Sequence, residues 1–312
     1  MSAEIMLTVE FHSPVQTELV KSFKCHKLYA ASDRDSFLAE QAPRVRGLAT
    51  FGKWGADKSL IDKLPKLEII ANMGVGVDAI DLGEAKRRGI IVTNTPDVLN
   101  DCVAETAMSL VLNVLHRFPQ NEAYLRSGYW GTRGGPPLAA EAKGKTLGIL
   151  GLGRIGEKVA TLAKAFGMTI RYHNRSRKSV AHPYDASAEA LAEHSDVLLV
   201  ATPGGKQTSK LVGASVLDAL GPGGYLINIS RGSVIDEPVL IRYLKEQRIA
   251  GAGLDVFEDE PNVNPEFFAL QNAVIYPHVG SATHETRLAM GMLQVENLRA
   301  HFSGKPVLTR VV

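Results

Sequence analysis

Only two cysteines, Cys25 and Cys102, occur in 312 residues. That excludes a disulfide-stapled fold and points to a reducing compartment, the cytoplasm. No apolar run approaches the ~18 residues of a membrane-spanning helix, so no membrane partner is expected. Residues 1–11 hold an early acidic residue and no basic segment leading into an apolar one, so no signal peptide is expected. Neither sign of charge dominates: 35 Lys+Arg against 33 Asp+Glu leave a formal net charge of +2. A nucleic-acid partner, which requires concentrated basic charge, is therefore not expected. The 9 histidines form no H-E-x-x-H and the cysteines lie far apart, so no metal site is expected. Internal repeats and low-complexity tracts are missing as well.

What is present is a globular composition, 45% hydrophobic and 22% charged, long enough for two domains. Its most informative stretch is residues 146–176. Five residues of strand character, 146–150, run into Gly151, Gly153 and Gly156 in a G-x-G-x-x-G pattern. A helical pattern follows from Ile155, with Ala160, Ala163 and Phe166 on one face. Gly167 closes it, and 168–172 reads as the next strand. Gly151 permits the tight turn, Gly153 lets backbone approach a pyrophosphate, and Gly156 lets the helix pack on the strand. The helix start, at Arg154 and Ile155, would hold the phosphates. The end of the second strand narrows the cofactor. An Asp or Glu normally stands there to bind the ribose 2′-OH of NAD. Here the residues are His173, Asn174, Arg175, Ser176, Arg177 and Lys178. With no carboxylate to repel a 2′-phosphate, and with Arg175, Ser176 and Asn174 to bind it, NADPH is preferred and NADH is a weaker alternative.

Strand and helix patterns alternate along the whole chain. Strands are expected at 5–9, from 47, at 66–71, 90–92, 197–201, 225–229, 251–254 and 274–276. Helices are expected at 15–22, 81–88, 101–118 and 285–302, with a Gly/Pro-rich surface loop at 127–141. Such alternation implies an α/β protein with parallel sheets flanked by helices. The last helix has no place in a finished dinucleotide fold, so it returns to the first domain. Two Rossmann-like domains are expected: a discontinuous substrate domain, 1–98 and 286–312, and a dinucleotide-binding domain, 99–285. The active site is expected in the cleft between them.

Four polar residues follow the later strands, where ligands bind in open α/β sheets: Arg231, Asp255, Glu260 and His278. Their motifs are INISRGSVIDE at 227–237, AGLDVFEDEP at 252–261 and PHVGSAT at 277–283. With NMGVGVDAIDL at 72–82, VTNTPDVLNDCVAETA at 92–107 and GKTLGILGLGRIG at 144–156, these motifs identify a resemblance to the D-2-hydroxyacid dehydrogenases. Within them the chain is most similar to the glyoxylate/hydroxypyruvate reductases. The resemblance implies that Arg231 binds the substrate carboxylate and polarises its carbonyl, that His278 is the general acid, and that Glu260 holds the other ring nitrogen. It implies further that backbone N–H groups of Val75 and Gly76 hold the carboxylate. Thr106, Thr202, Pro203, Thr208, Ile229 and Gly280 would lie near the cofactor. Asp255 would touch the nicotinamide side or support the cluster. Trp130 is a candidate to reach a neighbouring subunit's pocket, and Trp54 a weaker pocket candidate.

Glu260 argues against the formate dehydrogenase branch, which carries Gln there. The expected activity is NADPH-dependent reduction of small 2-oxo acids, glyoxylate to glycolate and hydroxypyruvate to D-glycerate. Two alternatives stand: reduction of a bulkier 2-oxo acid such as hydroxyphenylpyruvate, and a nucleotide-sensing binding role like that of related corepressors. The helix at 101–118 and the loop at 119–142 resemble the family's dimerisation arm, so a homodimer is expected.

Overall fold

Short aliphatic runs build the sheets. In the strand Ile69–Met73 every residue is buried, as in a parallel strand covered on both faces. A computed structural model describes residues 2–312. The chain divides into two compact units, Met1–Leu99 with Ala282–Val312, and Asn100–Ser281.

The first unit holds five parallel strands: β1 (Glu4–Leu7), β2 (Lys24–Lys27), β3 (Gly47–Phe51), β4 (Ile69–Met73) and β5 (Ile91–Thr93). Their order is β2-β1-β3-β4-β5. The edge strand β2 has no sequence signal: KCHK carries no apolar alternation. Its charges instead dress the sheet edge, with Glu4 bonding His26 at 2.7 Å and Lys24 at 3.2 Å. The helix His284–Phe302 belongs to this unit. Thr283 caps it by accepting the Thr286 N–H. Gly291 lies so close to the helix Ser13–Ser22 that an added Cβ would stand 2.2 Å from Val15. The fully buried Gln294 donates to the Thr50 and Ala71 carbonyls at 2.9 and 2.7 Å, tying this helix to the sheet.

The second unit holds β6 (Thr146–Leu150), β7 (Thr169–His173), β8 (Val197–Val200), β9 (Tyr225–Asn228), β10 (Gly251–Leu254) and β11 (Ala273–Ile275). All pairings are parallel, in the order β11-β10-β9-β8-β6-β7. Beyond β7 an isolated parallel bridge, Tyr172 to Tyr184, stands where the dinucleotide fold has another strand. The chain's direction of travel across the sheet reverses between β6 and β8, and such a switch point is where this architecture binds ligands. The helix Asn100–His116 packs on this sheet because β10 is GAGL. A Cβ at Gly251 or Gly253 would approach Val114 or Leu110 to 3.0 Å.

Three expectations need correction. The long helix ends at His116, because Arg117 takes a left-handed φ of 56°. Pro119 then opens a new helix, Phe118–Arg126, at a position where proline costs no hydrogen bond. The expected loop also contains the short helix Tyr129–Arg133. Phe166 is not on the buried face of its helix: Arg154–Ala165 buries Gly156, Val159, Ala160 and Ala163, and Phe166 is an exposed C-cap. Gly167 behind it has φ 76°. Its N–H bonds Lys164, and the Met168 N–H bonds Ala163, the paired closure that a left-handed glycine allows.

Candidate active site

The glycine turn follows β6 at the switch point. An added Cβ on Gly151, whose φ is 105°, would lie 2.7 Å from the Ala201 and Thr202 backbone, so only glycine lets the two strand ends approach. On Gly156 it would lie 2.8 Å from the Gly151 carbonyl, which explains the close helix–strand packing. On Gly153, with φ −95°, it would meet nothing within 4 Å. The protein thus keeps space beside the second glycine, at the start of a 12-residue helix. Close by, the Thr202 hydroxyl is buried and has no hydrogen-bond partner among the described residues. A buried, unbonded hydroxyl on the residue whose backbone meets Gly151 at the switch point suits a bound dinucleotide.

The segment after β7 differs from expectation in detail. The Asn174 amide is engaged with the glycine turn itself. Its Oδ1 accepts the Leu152 N–H at 2.7 Å and its Nδ2 donates to the Leu152 carbonyl at 3.2 Å, so it fastens the glycine turn. Lys178 pairs with Glu157. The Arg177 guanidinium lies 6.0 Å from the centre of the Tyr184 ring. Arg175 and Ser176 are exposed, and Arg175 Nη1 donates to Gln207 Oε1 at 2.8 Å. Thr208 is turned inward, donating to the Pro203 carbonyl at 2.7 Å. Thr106 donates to the Cys102 carbonyl and approaches the Gly280 carbonyl at 3.5 Å.

Arg231 follows β9, Asp255 and Glu260 follow β10, and His278 follows β11, so adjacent strands bring these residues together. His278 Nδ1 lies 2.7 Å from Glu260 Oε2. An ionised carboxylate only accepts, so Nδ1 carries the proton in this bond and Nε2 is left for a substrate oxygen. Glu260 Oε1 also accepts the Phe257 N–H at 3.0 Å. Burial pushes the Glu260 carboxyl up. The bond to His278, the Phe257 N–H and the charge of Arg231 outweigh that and hold it below the usual glutamate value.

Asp255 has a different task. It is 2% exposed and accepts the Val279 and Gly280 N–H groups at 2.7 and 2.8 Å. Burial raises its pKa against the pull of those two N–H groups. These bonds brace a turn in which His278 adopts φ 55°, a left-handed conformation few side chains accept. Asp255 therefore supports the cluster by fixing the backbone that carries His278.

Two further residues shape the cluster, both inside the motif at 227–237 and neither assigned a role from it. A Cβ on Gly232 would fall 1.8 Å from the Phe257 carbonyl carbon and 2.2 Å from the Glu258 nitrogen. The Arg231 turn thus lies directly on the Glu260 turn. Glu237, 8% exposed, accepts the Glu258 N–H at 2.9 Å and fastens the same turn from the other side. Arg231 is also framed: Asn228 donates to its carbonyl at 3.0 Å, and Gly204 leaves room for its side chain, where a Cβ would stand 2.7 Å from Arg231 Cγ.

In the first unit, the turn after β4 carries Val75 and Gly76. Its carbonyls are tied off by amides, Gly74 and Gly76 by Asn72 and Val75 by Asn94. Gly74 N–H donates to Thr95 Oγ1 at 2.9 Å. The turn is therefore rigid, as an anion cradle of backbone N–H groups needs to be. Trp130 lies on the short helix Tyr129–Arg133 and not at a strand end. It is 63% exposed, and Trp54 is 53% exposed. Both cysteines are free of disulfide bonds. No helix among the described residues is long and apolar enough to cross a membrane.

Residues 108–280 match the family model described as D-isomer specific 2-hydroxyacid dehydrogenase, NAD binding domain. The chain is 46% identical over 309 residues to hydroxyphenylpyruvate reductase of Plectranthus scutellarioides, covering 99% of this chain and 98% of the relative. It is 45% identical over 312 residues to glyoxylate/hydroxypyruvate reductase A of Arabidopsis thaliana, covering 100% and 99%. The structure of an NADPH-dependent glyoxylate/hydroxypyruvate reductase from Sinorhizobium meliloti, in complex with NADP and malonate, is similar with TM-score 0.93 and 42% identity, over 100% of this chain and 97% of that one. Fold, strand-end cluster and these likenesses agree: the chain belongs to the D-isomer specific 2-hydroxyacid dehydrogenases.

Proposed function

We propose that this protein reduces small 2-oxo acids with NADPH, glyoxylate to glycolate and hydroxypyruvate to D-glycerate. The observation that carries the reading is the His278–Glu260 bond at 2.7 Å beside Arg231. It combines an imidazole whose Nδ1–H is held by Glu260, so that the doubly protonated ring can give its Nε2 proton and remain as the Nδ1–H form, with a cation able to bind a carboxylate by its fork of donors. Arg231 binds the carboxylate and draws electron density toward the carbonyl oxygen. When bound, the reduced nicotinamide supplies the hydride. His278 gives its Nε2 proton to the oxygen, and Glu260, on Nδ1, keeps the ring oriented for that transfer.

NADPH is preferred because Arg175 stands where an NAD-type carboxylate would and no acidic residue occupies 173–178. The relative from Sinorhizobium meliloti, whose structure holds NADP, supports this. A second reading, reduction of a bulkier 2-oxo acid, is favoured by the 46% identity to a hydroxyphenylpyruvate reductase. Initial rates of NADPH and NADH oxidation with glyoxylate, hydroxypyruvate and hydroxyphenylpyruvate decide among these. Fast turnover of the small acids with NADPH is expected. Turnover of hydroxyphenylpyruvate alone would select the second reading, and no turnover across a wider panel would leave a binding role.

A homodimer is part of the proposal. Phe118, Leu125, Trp130 and Leu138 are 52%, 56%, 63% and 99% exposed, all within one stretch of the second unit. Apolar exposure gathered in this way marks an interface. Trp130 is the candidate to reach a neighbouring subunit's pocket. The cytoplasm is the proposed compartment, in keeping with two cysteines that form no disulfide bond.

A further inference from the structure

The strand β6 lies between β7 and β8, and the glycine turn issues from its end. Arg175, past the end of β7, and Gln207, in the loop after β8, are joined by a bond of 2.8 Å. That bond therefore reaches across the strand end that carries the turn. The loop holding Gln207 is braced, since Thr208 Oγ1 donates to the Pro203 carbonyl and the Thr208 N–H to Gly205 at 3.1 Å. The neighbours of Arg175 are engaged elsewhere: Asn174 with Leu152, Arg177 against Tyr184, Lys178 with Glu157.

Arg175 thus has a neutral amide as its bonded partner, where Lys178 has a carboxylate. An amide oxygen orients a guanidinium through one N–H without cancelling its charge, and the other N–H donors stay available to an anion. Resting on the NADPH reading above, we propose that Gln207 is a specificity-determining positioning residue. It acts as a neutral strap that holds Arg175 over the glycine turn for the cofactor's 2′-phosphate. A carboxylate at 207 would instead neutralise Arg175 and repel the phosphate.

The test is titration of the full-length protein with NADPH and with NADH, following ligand fluorescence, for wild type, Gln207→Glu, Gln207→Leu and Arg175→Ala. Gln207→Glu is expected to raise the NADPH Kd about tenfold or more and the NADH Kd less than about twofold, as a like charge near a phosphate requires. Gln207→Leu is expected to raise the NADPH Kd about threefold, the scale of one exposed hydrogen bond, with NADH unchanged. Equal changes for both cofactors, or none, in the two Gln207 variants would overturn the strap. If Arg175→Ala still lost NADPH selectively in that case, only the role of Gln207 would fall. If it too lost both cofactors equally, the 2′-phosphate assignment would fall with it.

Discussion

Gly232 is the most demanding test of how the cluster is built. In Gly232→Ala the new methyl group would stand 1.8 Å from the Phe257 carbonyl carbon, 2.1 Å from its oxygen and 2.2 Å from the Glu258 nitrogen. Carbon contacts are ordinarily ~3.5 Å, so the Arg231 turn and the Glu260 turn must part by more than about 1 Å. Backbone atoms on the far side leave no rotamer to absorb the clash. Overpacking of this kind costs about 1–3 kcal/mol of stability, and a displacement of ~1 Å at reacting groups lowers turnover on the order of 100-fold. The glycine loop lies after a different strand, β6, so NADPH binding should change little. Gly153→Ala supplies the opposite case: its methyl group meets no protein atom within 4 Å, and its φ of −95° suits any residue. It should melt like wild type yet bind NADPH weakly, because it fills space reserved for the pyrophosphate. Melting temperature, NADPH Kd and kcat with glyoxylate separate the two variants. A Gly232→Ala enzyme with kcat within about threefold of wild type would refute the claim that this contact sets the geometry of Arg231 and Glu260.

The other expectations concern the same residues and the apolar stretch. His278→Ala should cut reduction by about 100-fold or more, with NADPH affinity retained; loss of both would remove its purely acid role. Arg175→Ala should weaken NADPH far more than NADH, measured as the ratio of the two Kd values, and equal losses would contradict the phosphate assignment. Glu260 is held below its ordinary value in the folded protein, so its bond to His278 contributes fully above pH ~4.5 and is lost as pH falls further. The melting difference between wild type and Glu260→Gln should therefore shrink as pH falls below about 4.5; a difference that grows over that range would reverse the sign of this argument. Sedimentation at micromolar concentration should show a dimer that Trp130→Glu with Leu138→Glu weakens, and a wild-type monomer would exclude that interface.

Much of this was legible because a strand end announces itself. A buried aliphatic run stops, and the next polar residue lies at the ligand-binding edge. That logic reached Arg231, Asp255, Glu260 and His278, whose side chains do gather after β9, β10 and β11. It also assigned the three glycines of the turn after β6. It failed where one residue type serves two purposes. The helix expected to run to 118 stops at His116 and Pro119 opens another, because the break comes from the backbone of Arg117. The second task of Asn174, closing its amide on Leu152, was not visible in the sequence. β2 escaped because an edge strand needs no apolar alternation. Gly232, Glu237 and Gln207 were out of reach for another reason: their partners are distant in sequence, and only the folded chain brings them into contact.

Three carboxylates hold or flank the turns of this cluster, Asp255, Glu237 and Glu260, and they do not share an environment. Burial raises Asp255 and Glu237, and each accepts backbone N–H groups: Val279 and Gly280 for Asp255, Glu258 for Glu237. These bonds hold the turns that carry His278 and Glu258. Glu260 sits among the positive partners, His278 and Arg231, and is held low despite burial. Environments that push carboxyl groups in opposite directions separate a structural task from a chemical one. It follows that Asp255→Asn should act through the backbone. One of its two N–H partners would face an amide donor, at a cost of about 1–3 kcal/mol, and the left-handed turn at His278 would relax. Turnover should fall, and restoring Glu260 geometry elsewhere should not rescue it. A variant that kept wild-type melting while losing turnover would mean that Asp255 touches the chemistry directly.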